Sequence, residues 1–226
     1  MAESLRKWFG SEHQIGAIMR RVGRPKQEGI SRDTAEALKK SALDLMSRSG
    51  YRTVTIKDIG REAGLTTAMI YYHFHDKDDL LHATIEYAIE TALEYYTNTS
   101  RDVKNPAKLI HEWLHMHVAL QPEIGKVLKL ILEYRNSESQ NDRVDKIIER
   151  FYGSERTVIT ESIMRGRALG IFRDGHDPAA LSDLVSTFLD GAVMRKRVFS
   201  DYDIAASVGV FEQMLWSTLG YSGSID

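Results

Sequence analysis

The segment from Thr67 to His73, TAMIYYH, concentrates side chains that can bind phosphate groups or the edges of nucleic-acid bases. On a helix, Ile70 and Phe74 are four residues apart and point the same way, into a core. The opposite side then carries hydroxyl, phenol and imidazole groups, which hydrogen bond to phosphate oxygens, and methyl groups that can contact thymine. This pattern favours DNA binding. The alternative is a helical hairpin whose aromatic side chains pack against a neighbouring surface.

Two short helices joined by a tight turn are predicted to hold this segment in place. Thr55 and Asp58 have the spacing of a capping box at the start of the first helix. Gly64 follows that helix where a left-handed backbone conformation is needed, and Leu65 can fill the turn. Thr66 is a suitable N-cap for the second helix. Such a helix-turn-helix reads DNA by placing its second helix in the major groove.

A second group with chemical potential is His111-Glu112-Trp113-Leu114-His115, which fits the H-E-x-x-H pattern of zinc peptidases. Two histidines at positions i and i+4 can share a metal ion, with the glutamate as general base. No third ligand is evident in the sequence, and on a helical wheel both histidines lie beside the apolar arc. We therefore expect no catalytic residue, no metal and no cofactor. Metal sensing through His111 and His115 stays open as an alternative, and zinc peptidase activity is disfavoured.

Residues 34–82 resemble the DNA-binding domain of TetR-family transcriptional regulators. The resemblance implies an all-α protein with a three-helix DNA-binding domain at residues 30–77. It also implies a larger helical effector-binding and dimerisation domain at residues 78–226, and residues 1–29 are assigned to a flexible basic arm. The matching motifs, in order, are Ala42-Leu43, Gly50-Tyr51, Thr55-Ile56-Lys57-Asp58-Ile59, Ala63-Gly64-Leu65, Tyr71-Tyr72-His73-Phe74, and Lys77 ahead of Leu80-Leu81.

The resemblance also implies roles for individual residues. Thr67 and Ala68 match positions that approach base edges, and Thr66 and Met69 belong to the same predicted surface. Many family members have lysine where this chain has Thr67, and a threonine is too short for a bidentate contact to guanine. The preferred half-site therefore does not carry over. The positions that match phosphate contacts are Thr55, Tyr71, Tyr72, His73 and Lys77.

The basic charge of the chain is concentrated near the predicted DNA-binding helices. The net charge is −2, but residues 20–73 hold 11 Lys and Arg against 6 Asp and Glu. The run RRVGRPK at residues 20–26 includes Arg24 and Lys26, which could enter a minor groove. A solvated tail is the alternative for this run. A local basic patch matters more for DNA binding than the overall charge.

The composition sets further limits on the class of protein. The chain contains no cysteine, which excludes disulfides and thiolate metal sites and fits a reducing compartment. No apolar run is long enough to cross a bilayer, and the first residues do not form a secretory signal. We therefore expect a cytoplasmic protein without a membrane partner.

Beyond residue 76 the sequence predicts further helices, including a long one over residues 142–169 that is broken or bent near Gly153. Apolar stripes on the last two helices match the family's dimerisation surface, although an intramolecular core has the same spacing. An apolar and aromatic wall with one polar point is predicted to line an effector cavity. The predicted interface residues are Leu184, Phe188, Ala192, Phe211 and Leu215, and the predicted effector-binding residues are Trp113, Met116, His117, Phe151 and Tyr152.

Taken with the resemblance, these features predict a homodimeric repressor that binds a palindromic double-stranded DNA operator and is released by a small-molecule effector. A transcriptional activator or a metal-responsive regulator of the same fold is the alternative. An adaptor or ligand-binding protein without DNA binding is a further rival, from a different functional class.

Overall fold

The computed structural model describes residues 27–100, 103–138 and 140–225, with side chains from residue 33 onward except at 96–100. Arg24 and Lys26 of the predicted basic arm lie outside the described residues. The first helix begins at Gln27, so the last three residues assigned to the arm are helical. The residues Leu38–Asp226 form one compact unit.

The described part of the chain is all-α, as predicted. Its nine helices are α1 (Gln27–Ser49), α2 (Ile56–Ala63), α3 (Thr67–His73), α4 (Lys77–Ser100), α5 (Pro106–Ala119), α6 (Gln121–Arg135), α7 (Asp142–Ala168), α8 (Pro178–Val198) and α9 (Ile204–Leu219).

Local sequence signals set most of the helix boundaries. Asn105 and Asp177 cap α5 and α8 through side-chain oxygens that accept backbone N–H bonds, and each is followed by a proline at the helix start. Leu120 alone separates α5 from α6, because Pro122 is tolerated only in the first turn of the new helix.

The core is built from the inward stripes of these helices. Leu38, Met46, Ile59 and Ile70 are fully buried and hold α1, α2 and α3 together. In the larger part of the chain, α8 packs most extensively against α7, and α5 packs against both α7 and α9. This arrangement brings the middle of α5 next to α7 on one side and next to α9 on the other.

The sequence predicts that α7 is either broken or bent near Gly153, and the break does not occur. The helix continues through Gly153 without interruption to Ala168. Buried side chains on either side of Gly153, Ile148 and Ile159 among them, anchor the helix against the core. Burial of this face outweighs the roughly 1 kcal/mol that a helical glycine costs. Among the described residues, no helix combines the length and apolar character needed to span a membrane.

Candidate functional site

Helix α3 presents the outward surface that its sequence predicts. Ile70 is fully buried and Phe74 nearly so, while Tyr71 and Tyr72 are 59% and 79% exposed. Met69 is exposed as well. The other members of the predicted surface, Thr66, Thr67 and Ala68, are exposed, and His73 is half-buried. Large aromatic side chains exposed to this extent on a short helix are suited to a partner surface.

The caps of α2 and α3 fix the angle between the two helices. Thr55 and Asp58 form a complete capping box, with Asp58 N–H donating to Thr55 Oγ1 at 3.1 Å and Thr55 N–H donating to Asp58 Oδ2 at 3.1 Å. Hydrogen bonds from the Thr55 hydroxyl and backbone hold the pKa of Asp58 below its usual value. Gly64 ends α2 with φ of 67°, in the left-handed region, and Thr66 caps α3 through Met69 N–H.

Two of the predicted phosphate-binding side chains make contacts within the protein. The Thr55 hydroxyl donates to Asp58 Oδ2 at 2.6 Å, so it is already used in the cap. Lys77 Nζ donates to Arg52 O at 3.4 Å and lies 4.3 Å from the centre of the Tyr51 ring. Burial lowers the pKa of Lys77, with the Glu133 carboxylate acting in the opposite direction. Lys77 therefore supports the turn that follows α1, beside the surface of α3.

A polar junction joins α6 to the end of α1. Lys126 Nζ donates to Asp44 Oδ1 at 2.8 Å, and Lys129 Nζ donates to the Ser47 carbonyl at 2.8 Å. Tyr51 N–H donates to Glu133 Oε2 at 2.6 Å. A cleft of about 530 Å³ opens beside these contacts. Lys129 lies at the C-terminal end of α1, where a cation is stabilising because it faces the negative end of the helix. Together these contacts hold α6 against the end of α1 and the turn that follows it. The lining of the cleft is basic and comprises Ser47, Arg48, Gln121, Pro122, Lys126, Lys129, Lys196, Arg197 and Ser200.

The predicted effector wall is divided between α5 and α7. Trp113 and His117 are buried on α5, with ring centres 5.1 Å apart. Phe151 and Tyr152 on α7 also contact each other, with ring centres 5.3 Å apart. Met116 is partly buried and packs against the core. A cleft of about 180 Å³ lies along the same two helices, lined by Leu109 and Val158 among others. It is smaller than the usual volume of a ligand site, which is roughly 300 Å³ or more.

Carboxylates that the sequence analysis did not select lie behind this wall. Glu155 accepts hydrogen bonds from Trp113 Nε1 at 3.3 Å and from Ser186 Oγ at 2.7 Å. Asp190 accepts one from the Tyr152 hydroxyl at 2.9 Å. Burial raises the pKa of Glu155, and it raises the pKa of Asp190 to about 6, against the effect of the hydrogen bonds.

His117 is a buried core histidine whose ring is hydrogen bonded to the backbone of its own helix. Its Nδ1 lies 2.9 Å from the carbonyl oxygen of Trp113, and because a carbonyl only accepts, Nδ1 is the donor. Burial lowers the pKa of His117, so the imidazole is neutral near pH 7.

The predicted dimer residues divide between a buried and an exposed set. Ala192 and Leu215 are buried in the core of the single chain, and Phe188 and Phe211 stack with ring centres 3.9 Å apart. Leu184 is exposed. The outer surface of α8 and α9 also exposes Val210 and Met214, which the sequence analysis did not select.

The two histidines of the H-E-x-x-H pattern meet a third side chain. His111 Nδ1 lies 2.6 Å from Glu212 Oε1, and His115 Nε2 lies 3.0 Å from Glu212 Oε2. The histidine ring centres are 4.2 Å apart, and both rings are about one third exposed while Glu212 is buried. Burial acts to raise the pKa of Glu212, but the hydrogen bonds with His111 and His115 outweigh it and lower the pKa to about 2. The carboxylate is therefore ionised at neutral pH.

The sequence holds no local signal for Glu212 as a partner of these histidines. It lies on α9, about 100 residues away, and only the packing of α9 against α5 brings the three side chains together. The same is true of Glu133 at Tyr51 and of Asp190 at Tyr152.

Comparison with known proteins agrees with the fold and with the helix-turn-helix. Residues 39–84 match the family described as bacterial regulatory proteins of the tetR family. The HTH-type transcriptional regulator HbdR of Aromatoleum sp. is 32% identical over 137 residues, 59% of this chain and 57% of that protein. This chain thus aligns with little more than half the length of HbdR. The HTH-type transcriptional repressor AcnR of Corynebacterium diphtheriae is 26% identical over 156 residues, 68% and 76% of the two chains.

A solved structure shows the same fold. The transcriptional regulator from Saccharomonospora viridis, determined in complex with choline, superposes with a TM-score of 0.68 at 21% identity, covering 82% of this chain and 96% of that one. The matched family consists of transcription factors, which agrees with the expectation of a non-enzymatic protein. The matched residues include α2 and α3 with their caps, and this chain carries the DNA-binding domain of TetR-family transcriptional regulators.

Proposed function

We propose that this protein is a homodimeric repressor that binds a palindromic operator and releases it when a small molecule binds the larger domain. The observation that carries the proposal is the exposed surface of α3, where Thr67, Ala68, Tyr71 and Tyr72 face outward from a helix anchored by Ile70. Thr67 and Ala68 are assigned to base edges, and the two tyrosines to phosphates on either side.

The apolar surface of α8 and α9 supports a homodimer. Leu184, Val210 and Met214 are each more than half exposed on helices whose opposite sides form the core. Two copies related by a two-fold axis would cover this surface and present two copies of α3 to half-sites about one DNA turn apart.

The polar junction supports control by an effector. Lys126, Lys129 and Glu133 tie α6 to the end of α1 and to the Gly50–Tyr51 turn. A movement of α6 relative to α7 would therefore change the position of α3. An effector that binds the displaced arrangement more tightly lowers the affinity for DNA. The name of AcnR supports repression, and choline in the S. viridis structure supports a small-molecule ligand in proteins of this fold.

Selection of bound duplexes from a random DNA pool tests the proposal, with Ala68→Glu as the matched control. Position 68 is exposed, so the substitution should leave the fold intact, while its carboxylate repels DNA. We expect a palindromic motif from the wild-type protein and none from Ala68→Glu. Recovery of no motif by the wild type, or of the same motif by both proteins, would contradict the assignment of α3.

The state of assembly is measured separately, by light scattering on the free protein. We expect a dimer that dissociates when Leu184 and Met214 are both replaced by glutamate. A monomeric wild-type protein would refute the homodimer.

A further inference from the structure

The side chains of His111, His115 and Glu212 form the one group of three potential metal ligands found in the described part of the chain. Their ligand atoms all lie within 4.8 Å of one another. Two imidazole nitrogens and a carboxylate form the ligand set of many zinc sites, with a fourth position left for water. The set is anchored on two helices, since both histidines are on α5 and Glu212 is on α9.

The distances are compatible with an ion between the three groups after a small adjustment. In a tetrahedral zinc site with bonds of about 2.0–2.1 Å, ligand atoms are about 3.3 Å apart. The measured separations are 2.6 Å for His111 and Glu212 and 3.0 Å for His115 and Glu212. The Glu212 oxygens would have to move a few tenths of an ångström away from the two nitrogens, and the three ligand atoms, which lie within 4.8 Å of one another, would have to close around the ion. One divalent ion would replace the two N–H protons that now face the carboxylate.

We propose that His111, His115 and Glu212 bind a divalent first-row transition metal ion of the zinc type, and that the bound ion changes the affinity of this protein for DNA. The metal site stands on its own geometry, whereas the regulatory effect rests on the proposed function. The ion joins α5 to the helix that carries Val210 and Met214. It is therefore placed to alter both the predicted dimer surface and the position of α5.

The connection to the DNA-binding helices is short. Helix α5 continues into α6 through Leu120 alone, and α6 carries the Lys126, Lys129 and Glu133 side chains of the polar junction. An ion that fixes α5 against α9 thereby restricts the positions open to α6. Coupling between two sites in one protein typically changes an affinity by about 5–150-fold.

The arrangement favours a regulatory ion over a peptidase centre. Zinc peptidases of the H-E-x-x-H type need a cleft that seats a peptide next to the metal. Two clefts in the described part of the chain, around Lys126 and around Leu109, are lined by other residues and include none of His111, His115 and Glu212.

Metal binding is tested on full-length protein without a histidine tag, stripped with EDTA and desalted. Zn²⁺ is titrated by calorimetry, and Co²⁺ is added as a spectroscopic probe because its visible bands report tetrahedral coordination. We expect one ion per chain. The variants His115→Gln and Glu212→Gln should each weaken binding at least about a hundredfold, because loss of an outer-shell partner alone costs about 10–100-fold.

The matched control is His176→Gln, which removes an exposed histidine outside the site and should bind Zn²⁺ like the wild type. Circular dichroism confirms that each variant is folded, and Glu212→Gln preserves the shape of the buried side chain. Binding that is unchanged in His115→Gln and Glu212→Gln would overturn the metal site. Hydrolysis of casein by the Zn²⁺-loaded protein would overturn the regulatory assignment.

The regulatory half is tested with the selected duplex, by measuring its affinity with and without Zn²⁺. We expect a change of at least about fivefold in the wild type and none in Glu212→Gln. Specific Zn²⁺ binding with an unchanged DNA affinity would overturn the regulatory effect alone. If the protein binds no DNA in either state, the proposed function has failed, while the calorimetric result still decides the metal site.

Discussion

Replacing Tyr72 by phenylalanine should weaken DNA binding without weakening the fold. The side chain is 79% exposed, and among the described residues its hydroxyl has no hydrogen-bond partner. The ring contacts His73, with centres 5.1 Å apart, and a phenylalanine ring preserves that contact. Substitutions at such surface positions usually change the free energy of unfolding by less than about 0.5 kcal/mol.

The loss on the DNA side is expected to be much larger. A hydrogen bond to a charged group such as phosphate is worth about 1.5–3 kcal/mol, which corresponds to a loss of about 10–150-fold in affinity for each recognition helix. Because phosphates carry no sequence information, the same factor should apply to the operator and to an unrelated duplex. A phenol is neutral, so the slope of log affinity against log salt should stay unchanged.

Fluorescence anisotropy with the selected duplex and with a scrambled duplex measures both affinities, and thermal unfolding measures stability. Tyr202→Phe is the matched control, since Tyr202 lies between α8 and α9 and packs against the core of the larger part of the chain. It should leave both affinities unchanged. If Tyr72→Phe binds both duplexes as tightly as the wild type, the phenol does not contact phosphate and the placement of α3 on DNA is wrong. A loss confined to the operator would instead assign Tyr72 to base recognition.

Three further predictions address the base contacts, the packing and the buried acids. Thr67→Ala should change the sequence selected from a random DNA pool and leave the affinity for a scrambled duplex unchanged. An equal loss of affinity for the operator and for the scrambled duplex would refute a contact between Thr67 and a base. In Gly166→Ala the added Cβ would lie 2.0 Å from Cδ2 of Phe172. The overpacking costs about 1–3 kcal/mol, more than the roughly 1 kcal/mol gained from the higher helix propensity of alanine, so the variant should be less stable than the wild type. The control is Gly153→Ala, on the same helix, where an added Cβ has nothing within 4 Å and should stabilise the protein by up to about 1 kcal/mol. Urea unfolding measures both variants. If Gly166→Ala proves more stable than Gly153→Ala, the close contact between Gly166 and Phe172 is wrong. The pKa of Asp190 is raised to about 6 from 3.8, so the folded protein binds the proton more tightly and loses stability as pH rises from about 4 to 6. Asp190→Asn should therefore be more stable than the wild type by up to about 3 kcal/mol above pH 6 and equally stable near pH 4. If its advantage in the free energy of unfolding does not change with pH, ionisation of the buried Asp190 carboxyl is not the cause.

The helix-turn-helix was predictable because its determinants are local. Thr55 and Asp58 complete a cap three residues apart, and Gly64 takes a backbone conformation that it adopts without steric cost. Ile70 and Phe74 fall on the buried side through helical spacing alone. The helix starts at Asn105 and Asp177 were predictable for the same reason.

Other features depended on contacts distant in sequence. Periodicity marks Ala192 and Leu215 as apolar positions of their helices, but it does not distinguish a core within one chain from a surface between two chains. Their burial is decided by the neighbouring helices of the same chain. Likewise, Gly153 reads as a weak point of α7, yet the helix continues through it between side chains that are buried by neighbouring helices.

The sequence by itself determined the fold class, the recognition helix and the pair of histidines on one side of α5, because each of these follows from spacing within a few turns of helix. The tertiary structure decided what those groups face. The packing of α9 on α5 brings Glu212 to His111 and His115, and the packing of α6 on α1 brings Glu133 to Tyr51. Partners separated by roughly 80 to 100 residues are set by the sum of many apolar contacts between helices, and no local pattern records them.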